Sequence, residues 1–94
     1  MEKKKVAIIG VTGSVGQEFV QSLNDHPWFE VTQIAASERS AGKSYLDAIR
    51  NEGGIIMWDV GGEIPEYIKS MKVKTVDELD TSQLDLIFSA VESQ

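Results

Sequence analysis

The sequence predicts an α/β chain of one domain spanning residues 1–94, built on a parallel sheet of about four strands with crossover helices. Three observations carry this. The aliphatic run Val6-Ala7-Ile8-Ile9 is too continuous for a half-exposed strand and reads as one buried on both faces. It runs directly into glycines at 10, 13 and 16, which punctuate strand from helix. Beyond them strand-like and helix-like stretches alternate, an order that implies right-handed crossovers and a parallel sheet. The arrangement is Rossmann-like, and with so few strands an incomplete one.

The elements follow in order. After the first strand, a helix runs from about Ser14 to Asn24, with Val15, Phe19, Val20 and Leu23 forming one apolar stripe. Asn24-Asp25-His26-Pro27 ends it, because proline biases the residue before it away from helical geometry. Phe29 to Ala36 is the second strand, β-branched at its centre. Ala41 to Arg50 carries a short helix with Tyr45, Leu46 and Ile49 on one side. Asn51 to Gly62 holds two glycine pairs around Ile55-Ile56-Met57-Trp58 and reads as a loop or short hairpin pinned by that cluster. Glu63 to Ser70 forms one or two helical turns starting near Pro65. Met71 to Lys74 is a short strand. Thr75 and Glu78 have the spacing of a capping box. Leu84 to Ala90 is the last strand.

Composition excludes several function classes. A net charge of −6 argues against a nucleic-acid or anionic-membrane binder, which needs a positive face. With no cysteine there is no disulfide framework, thiolate metal site or cysteine nucleophile. No apolar run approaches the ~20 residues of a membrane helix, and the charged start is unlike a signal peptide. A cytoplasmic protein is the expectation.

The chemistry points to the glycine loop. Gly10 ends the strand in a conformation that side chains resist, Gly13 lets the backbone approach a phosphate, and Gly16 lets the helix pack on the sheet. Free amides and the helix dipole then face an anion, with hydroxyls from Thr12 and Ser14 beside them. The alternative is a tight strand-to-helix turn with no ligand.

A dinucleotide's adenosine ribose belongs at the end of the second strand, where an Asp or Glu selects NAD. Here Ala35-Ala36 is followed by Ser37-Glu38-Arg39-Ser40. Small residues leave room for a 2′-phosphate, Ser37 and Ser40 can donate to it, and Arg39 supplies a charged fork. NADP is expected if Glu38 faces solvent; an inward Glu38 would favour NAD. Ser89 and Ala90 close the last strand and flank the glycine loop if that strand pairs beside the first. His26, the only histidine, lies roughly 15 Å from the glycine loop along the helix and reads as a residue near a helix C-terminus interacting with the dipole.

These stretches together resemble the N-terminal cofactor domain of the aspartate-semialdehyde dehydrogenase family, in its archaeal-type branch. The resemblance rests on residues 6–16, on Ala35-Ala36-Ser37-Glu38-Arg39-Ser40-Ala41-Gly42-Lys43, on Gly62 to Glu66 and on Asp85 to Ala90. The first motif is shared with N-acetylglutamyl-phosphate reductases, and archaeal malonyl-CoA reductases share much of the second. The resemblance implies that Thr12, Gly13, Ser14 and Val15 hold the pyrophosphate of NADP(H). It implies that Ser37, Arg39 and Ser40 hold the 2′-phosphate and that Ser89 and Ala90 line the nicotinamide side. The family reduces an acyl phosphate to an aldehyde with NADPH through a cysteine thioacyl intermediate. This chain departs from the pattern in having no cysteine. No catalytic or metal-ligating residue is therefore assigned, and the family's catalytic domain is expected to be absent. The alternatives are a fragment of a malonyl-CoA or N-acetylglutamyl-phosphate reductase, or a stand-alone, non-catalytic nucleotide-binding module.

Without further strands, the last strand is left with one neighbour. The expectation is self-association, or a missing catalytic domain, through that exposed edge. The run Ile55 to Trp58 either covers the sheet or faces an absent partner.

Overall fold

The computed structural model describes residues 2–90. It contains β1 (Lys4–Ile9), α1 (Ser14–Ser22), β2 (Phe29–Ala35), α2 (Tyr45–Ala48), α3 (Glu66–Lys69), β3 (Val73–Lys74) and β4 (Leu86–Ser89). Short 3-10 turns at Val76–Glu78 and Thr81–Gln83 lie between β3 and β4. The strands form one sheet in the order β3-β2-β1-β4, and every pairing is parallel.

The aliphatic composition of β1 puts it at the centre. Val6, Ala7 and Ile8 are fully buried, and β1 pairs with β2 on one side and β4 on the other. Val20 of α1, Leu23 at its C-cap, Ile34 of β2, Tyr45 of α2, Ile68 of α3 and Val73 of β3 lie in the core with them. Ladder register slips where Val6 faces Val31 and Ala7 faces Gln33, so Thr32 is the extra residue of a bulge. Its Oγ1 is buried with no hydrogen-bond partner among the described residues.

Several elements are shorter than the sequence predicts, for local reasons. The helix expected over 41–50 spans only Tyr45–Ala48. Gly42 N donates to Val73 O and Val73 N to Lys43 O, both at 2.8 Å, so the chain before Ser44 is held against β3. Ser44 then caps the helix, its Oγ accepting from Asp47 N at 3.3 Å. The turn over 63–70 reduces to Glu66–Lys69, with Pro65 at its cap. The capping-box pair closes a 3-10 turn: Glu78 Oε1 accepts from Thr75 N at 2.8 Å and from Thr75 Oγ1 at 3.1 Å. Those bonds hold the exposed Glu78 carboxyl below its ordinary range.

Two expectations about apolar clusters change. In α1 the buried face is Gly16, Gln17 and Val20, whereas Val15 is 41% exposed. The helix presses its glycine onto the preceding loop, which rotates Val15 outward. The 51–62 segment does form a hairpin, bridged at Arg50 and Ile56. Its apolar cluster does not pin it. Ile55, Ile56 and Met57 are exposed, and only Trp58 packs on the core. Asn51 does the pinning, its Oδ1 accepting from Gly53 N at 2.9 Å and Ile55 N at 3.0 Å.

At its far edge β4 is exposed. Leu86 and Ile87 are each 44% accessible, while Phe88 turns inward and stacks on Phe19 at 5.3 Å. Asp85 anchors the strand's start, donating from N to Lys5 O at 2.7 Å and accepting at Oδ2 from Lys5 N at 2.8 Å. No helix among the described residues is long and apolar enough to cross a membrane.

Candidate functional site

Because all strands are parallel, Ile9, Ala35, Lys74 and Ser89 end at one edge of the sheet. From β1 the chain builds outward through β2 and β3 on one side, then returns to place β4 on the other. That reversal makes the carboxyl ends of β1 and β4 the topological switch point, the place where open α/β sheets bind ligands. The glycine loop lies there.

The three glycines have three different physical reasons. Gly10 has φ +76°, in the left-handed region that side chains resist. Its amide and that of Val11 both donate to Ala35 O, at 3.0 and 3.2 Å, tying the loop to the end of β2. Gly16 is demanded by packing: a Cβ there would strike Gly10 O and lie 2.7 Å from Val11 Cα. Gly13 is demanded by neither. Its φ of −79° and ψ of 174° are open to any residue, and a Cβ would meet only Gly10 O, at 3.9 Å. The protein leaves space over Gly13 that its own fold does not use. That is the space a close-approaching phosphate needs, so the loop fits a dinucleotide.

Amides face this space. The first bond inside the helix is Gln17 N to Gly13 O at 2.8 Å, so Ser14, Val15 and Gly16 have no helical carbonyl to donate to. Their positive ends add to the dipole of α1. The Ser14 hydroxyl donates to Asp59 Oδ2 at 3.4 Å, a long and exposed bond. Val15 is exposed and borders a surface hollow with Glu18, Phe19 and Ser22, so what it can offer the loop is its backbone amide.

A groove of about 510 Å³ runs from this loop to the loop after β2. It brings together Thr12, Ser37, Arg39 and Ser40 from the residues singled out in the sequence. Ser40 N and Ala41 N both donate to Ser37 O, at 2.9 and 3.1 Å, which folds this stretch into a turn. Glu38 is exposed and outside the groove lining. Sequence reasoning missed two further cations on its walls, Lys43 and Arg50, with Glu52 the single acid among them. Arg50 is anchored by Asp47 Oδ1 at 3.3 Å and Gly54 O at 3.0 Å. Its place depends on the hairpin, which residue type alone does not reveal.

Ser89 and Ala90 lie across β1 from this groove and do not line it. Ser89 pairs with Ile9, and Ala90 N donates to Ile9 O at 2.8 Å, so both flank the glycine loop from the β4 side. His26 is remote. Its cavity is shared with Lys3 and Glu30, at the opposite ends of the strands. Its Nδ1 accepts from Trp28 N at 3.1 Å, so the ring closes its own turn.

Two supporting residues were not legible in advance. Tyr45 is fully buried, and its hydroxyl donates to Val11 O at 3.0 Å. Burial, then the neighbouring Tyr67, pushes its phenol far above the ordinary range, so it acts only as a neutral donor. Gln17 is 1% exposed and donates to Thr12 O at 3.0 Å. Its signal was positional: it lies three residues before Val20, on the face that the helix buries.

Comparison with known proteins agrees with this fold. The family model described as semialdehyde dehydrogenase, NAD binding domain, matches residues 5–94. An aspartate-semialdehyde dehydrogenase from Methanothermobacter thermautotrophicus is 42% identical over 92% of this chain and 23% of its own length. A malonyl CoA reductase (NADP) from Metallosphaera sedula is 38% identical over 90% of the chain and 22% of its own length. Among solved structures, the aspartate semialdehyde dehydrogenase from Candida albicans with NADP superposes with a TM-score of 0.81. It shares 36% identity over 97% of this chain and 24% of that one. The chain therefore spans about a quarter of the length of the relatives it matches.

Proposed function

As the chain belongs to the semialdehyde dehydrogenase NAD-binding domain family, we propose that it is the NADP(H)-binding part of an aspartate-semialdehyde dehydrogenase. It contributes the cofactor, in the cytoplasm, to an NADPH-dependent reduction of aspartyl phosphate in amino-acid biosynthesis, and is not catalytic alone. One observation carries the cofactor assignment: a single groove runs from Thr12 of the glycine loop to Ser37, Arg39 and Ser40 and leaves Glu38 outside.

In this reading the bound cofactor supplies the hydride. Amides of Ser14, Val15 and Gly16 hold the diphosphate over Gly13, with Thr12 beside them. Arg39 pairs with the 2′-phosphate as a charged fork, and Ser37 and Ser40 donate to it. Lys43 and Arg50 raise the local potential despite the chain's net charge of −6. Ser89 and Ala90, small and at the end of β4, border the nicotinamide side.

Calorimetric titration with NADPH and NADH in parallel tests the reading. The chain binds NADPH more tightly than NADH, and Arg39→Ala weakens NADPH roughly tenfold to hundredfold, the range for one charged hydrogen-bonding partner. NADH is little affected. Equal affinity for the two nucleotides, or an Arg39→Ala variant with parental NADPH affinity, contradicts it. The 38% identity to the Metallosphaera enzyme supports a second reading. It keeps the cofactor and the hydride and replaces the acyl phosphate with a CoA thioester.

A further inference from the structure

Gln17 uses every hydrogen-bonding atom of its side chain, and uses them to join two walls of the groove. Its Nε2 donates to Thr12 O at 3.0 Å and to Met57 O at 2.9 Å, and its Oε1 accepts from Asp59 N at 2.7 Å. The partners fix the amide's orientation, because two carbonyls require N–H groups and one amide requires an oxygen. Thr12 is in the glycine loop, whereas Met57 and Asp59 lie 40 and 42 residues beyond Gln17 in sequence. Thr12 and Met57 both line the groove. The long bond from Ser14 Oγ to Asp59 Oδ2 is a second, weaker tie between the same two segments.

A glutamine that merely filled the core would be replaceable by an apolar side chain of the same length. Here the burial is nearly complete, and two of the three bonds reach a segment 40 and 42 residues away while the third holds the glycine loop itself. We propose that Gln17 is a positioning residue for the cofactor: it clamps the glycine loop to residues 57–59 and so sets the groove's width at Thr12. The two walls are then one mechanical unit, and occupancy at the glycine loop is felt at Asp59. This rests on the nucleotide reading above.

The test has two arms. Gln17→Met keeps the volume and removes the three bonds. Restricted to samples with the parental far-UV circular dichroism and a cooperative melt, it binds NADPH and NADH both about tenfold more weakly, in line with losing supporting hydrogen bonds behind a binding group. Their ratio is unchanged, in contrast to Arg39→Ala, which alters the ratio. A purely structural role would lower the melting temperature and leave the affinity of folded molecules as it was. In the second arm, hydrogen exchange on the unmodified chain, NADPH slows the Asp59 amide together with those of Ser14 and Val15. This arm decides alone if Gln17→Met does not fold.

A folded Gln17→Met with parental affinity, or one weakened for NADPH only, overturns the proposal. So does NADPH protection at Ser14 and Val15 without protection at Asp59. Each of those results leaves the nucleotide reading standing. A parent chain that binds neither nucleotide overturns both.

Discussion

Gly13 and Gly16 look alike in the sequence, three residues apart in one motif, yet the structure separates their roles. Gly16 is held against backbone atoms that have no freedom to move, so Gly16→Ala forces the helix off the loop. A loss of about 3 kcal/mol or more is expected, at or beyond the upper end for overpacking a tight site, and chemical denaturation reads it. Gly13 has open space and ordinary dihedral angles. Gly13→Ala keeps stability within about 1 kcal/mol, since reduced unfolded-state entropy offsets the poorer cap. It nonetheless weakens NADPH about tenfold or more, because the methyl group stands where the diphosphate must approach. A Gly13→Ala variant that bound normally would remove the strongest residue-level support for the site. The glycine motif was legible because strand, glycine and helix follow each other locally. Lys43 and Arg50 were not, because their convergence on Arg39 depends on a turn and a hairpin that no local pattern encodes.

At the scale of elements, β1, α1 and β2 were readable since each has a continuous hydrophobic pattern long enough to set its type. The pieces between β2 and β4 were blurred. They are only two to four residues long, and tertiary hydrogen bonds, not propensity, set their ends. Two buried glutamines show how this is done. Gln17 holds residues 57–59 to α1, and Gln33 holds Asp80 to β2 through Asp80 O at 3.0 Å and Asp80 N at 2.9 Å. A glutamine is ordinarily a surface residue, so neither announced itself. The exposed edge of β4 was anticipated, and it has a consequence. Among the described residues the outer edge of β4, carrying Leu86 and Ile87, has no paired strand and invites one. The chain is expected to show concentration-dependent self-association in sedimentation velocity, and Ile87→Lys to reduce it. A monomer at every concentration would contradict that.

For the molecule as a whole, strand order does the decisive work. Placing β4 beside β1, on the side away from β2, puts Ala90, the glycine loop and the turn around Arg39 at one end of the sheet. A different cavity, lined by Lys3, Lys5, Glu30 and Asp85 among others, opens at the other end. Its lining mixes cations with carboxylates. At 94 residues the chain is well suited to amide chemical-shift mapping during an NADPH titration, which distinguishes the two ends directly. The predicted result is saturable shifts at Ser14, Val15 and Gly16 and at Ser37, Arg39 and Ser40, with Lys5, Glu30 and Asp85 unmoved. Shifts confined to Lys5, Glu30 and Asp85, or no saturable shift anywhere, would contradict the assignment of the glycine loop as the cofactor's seat.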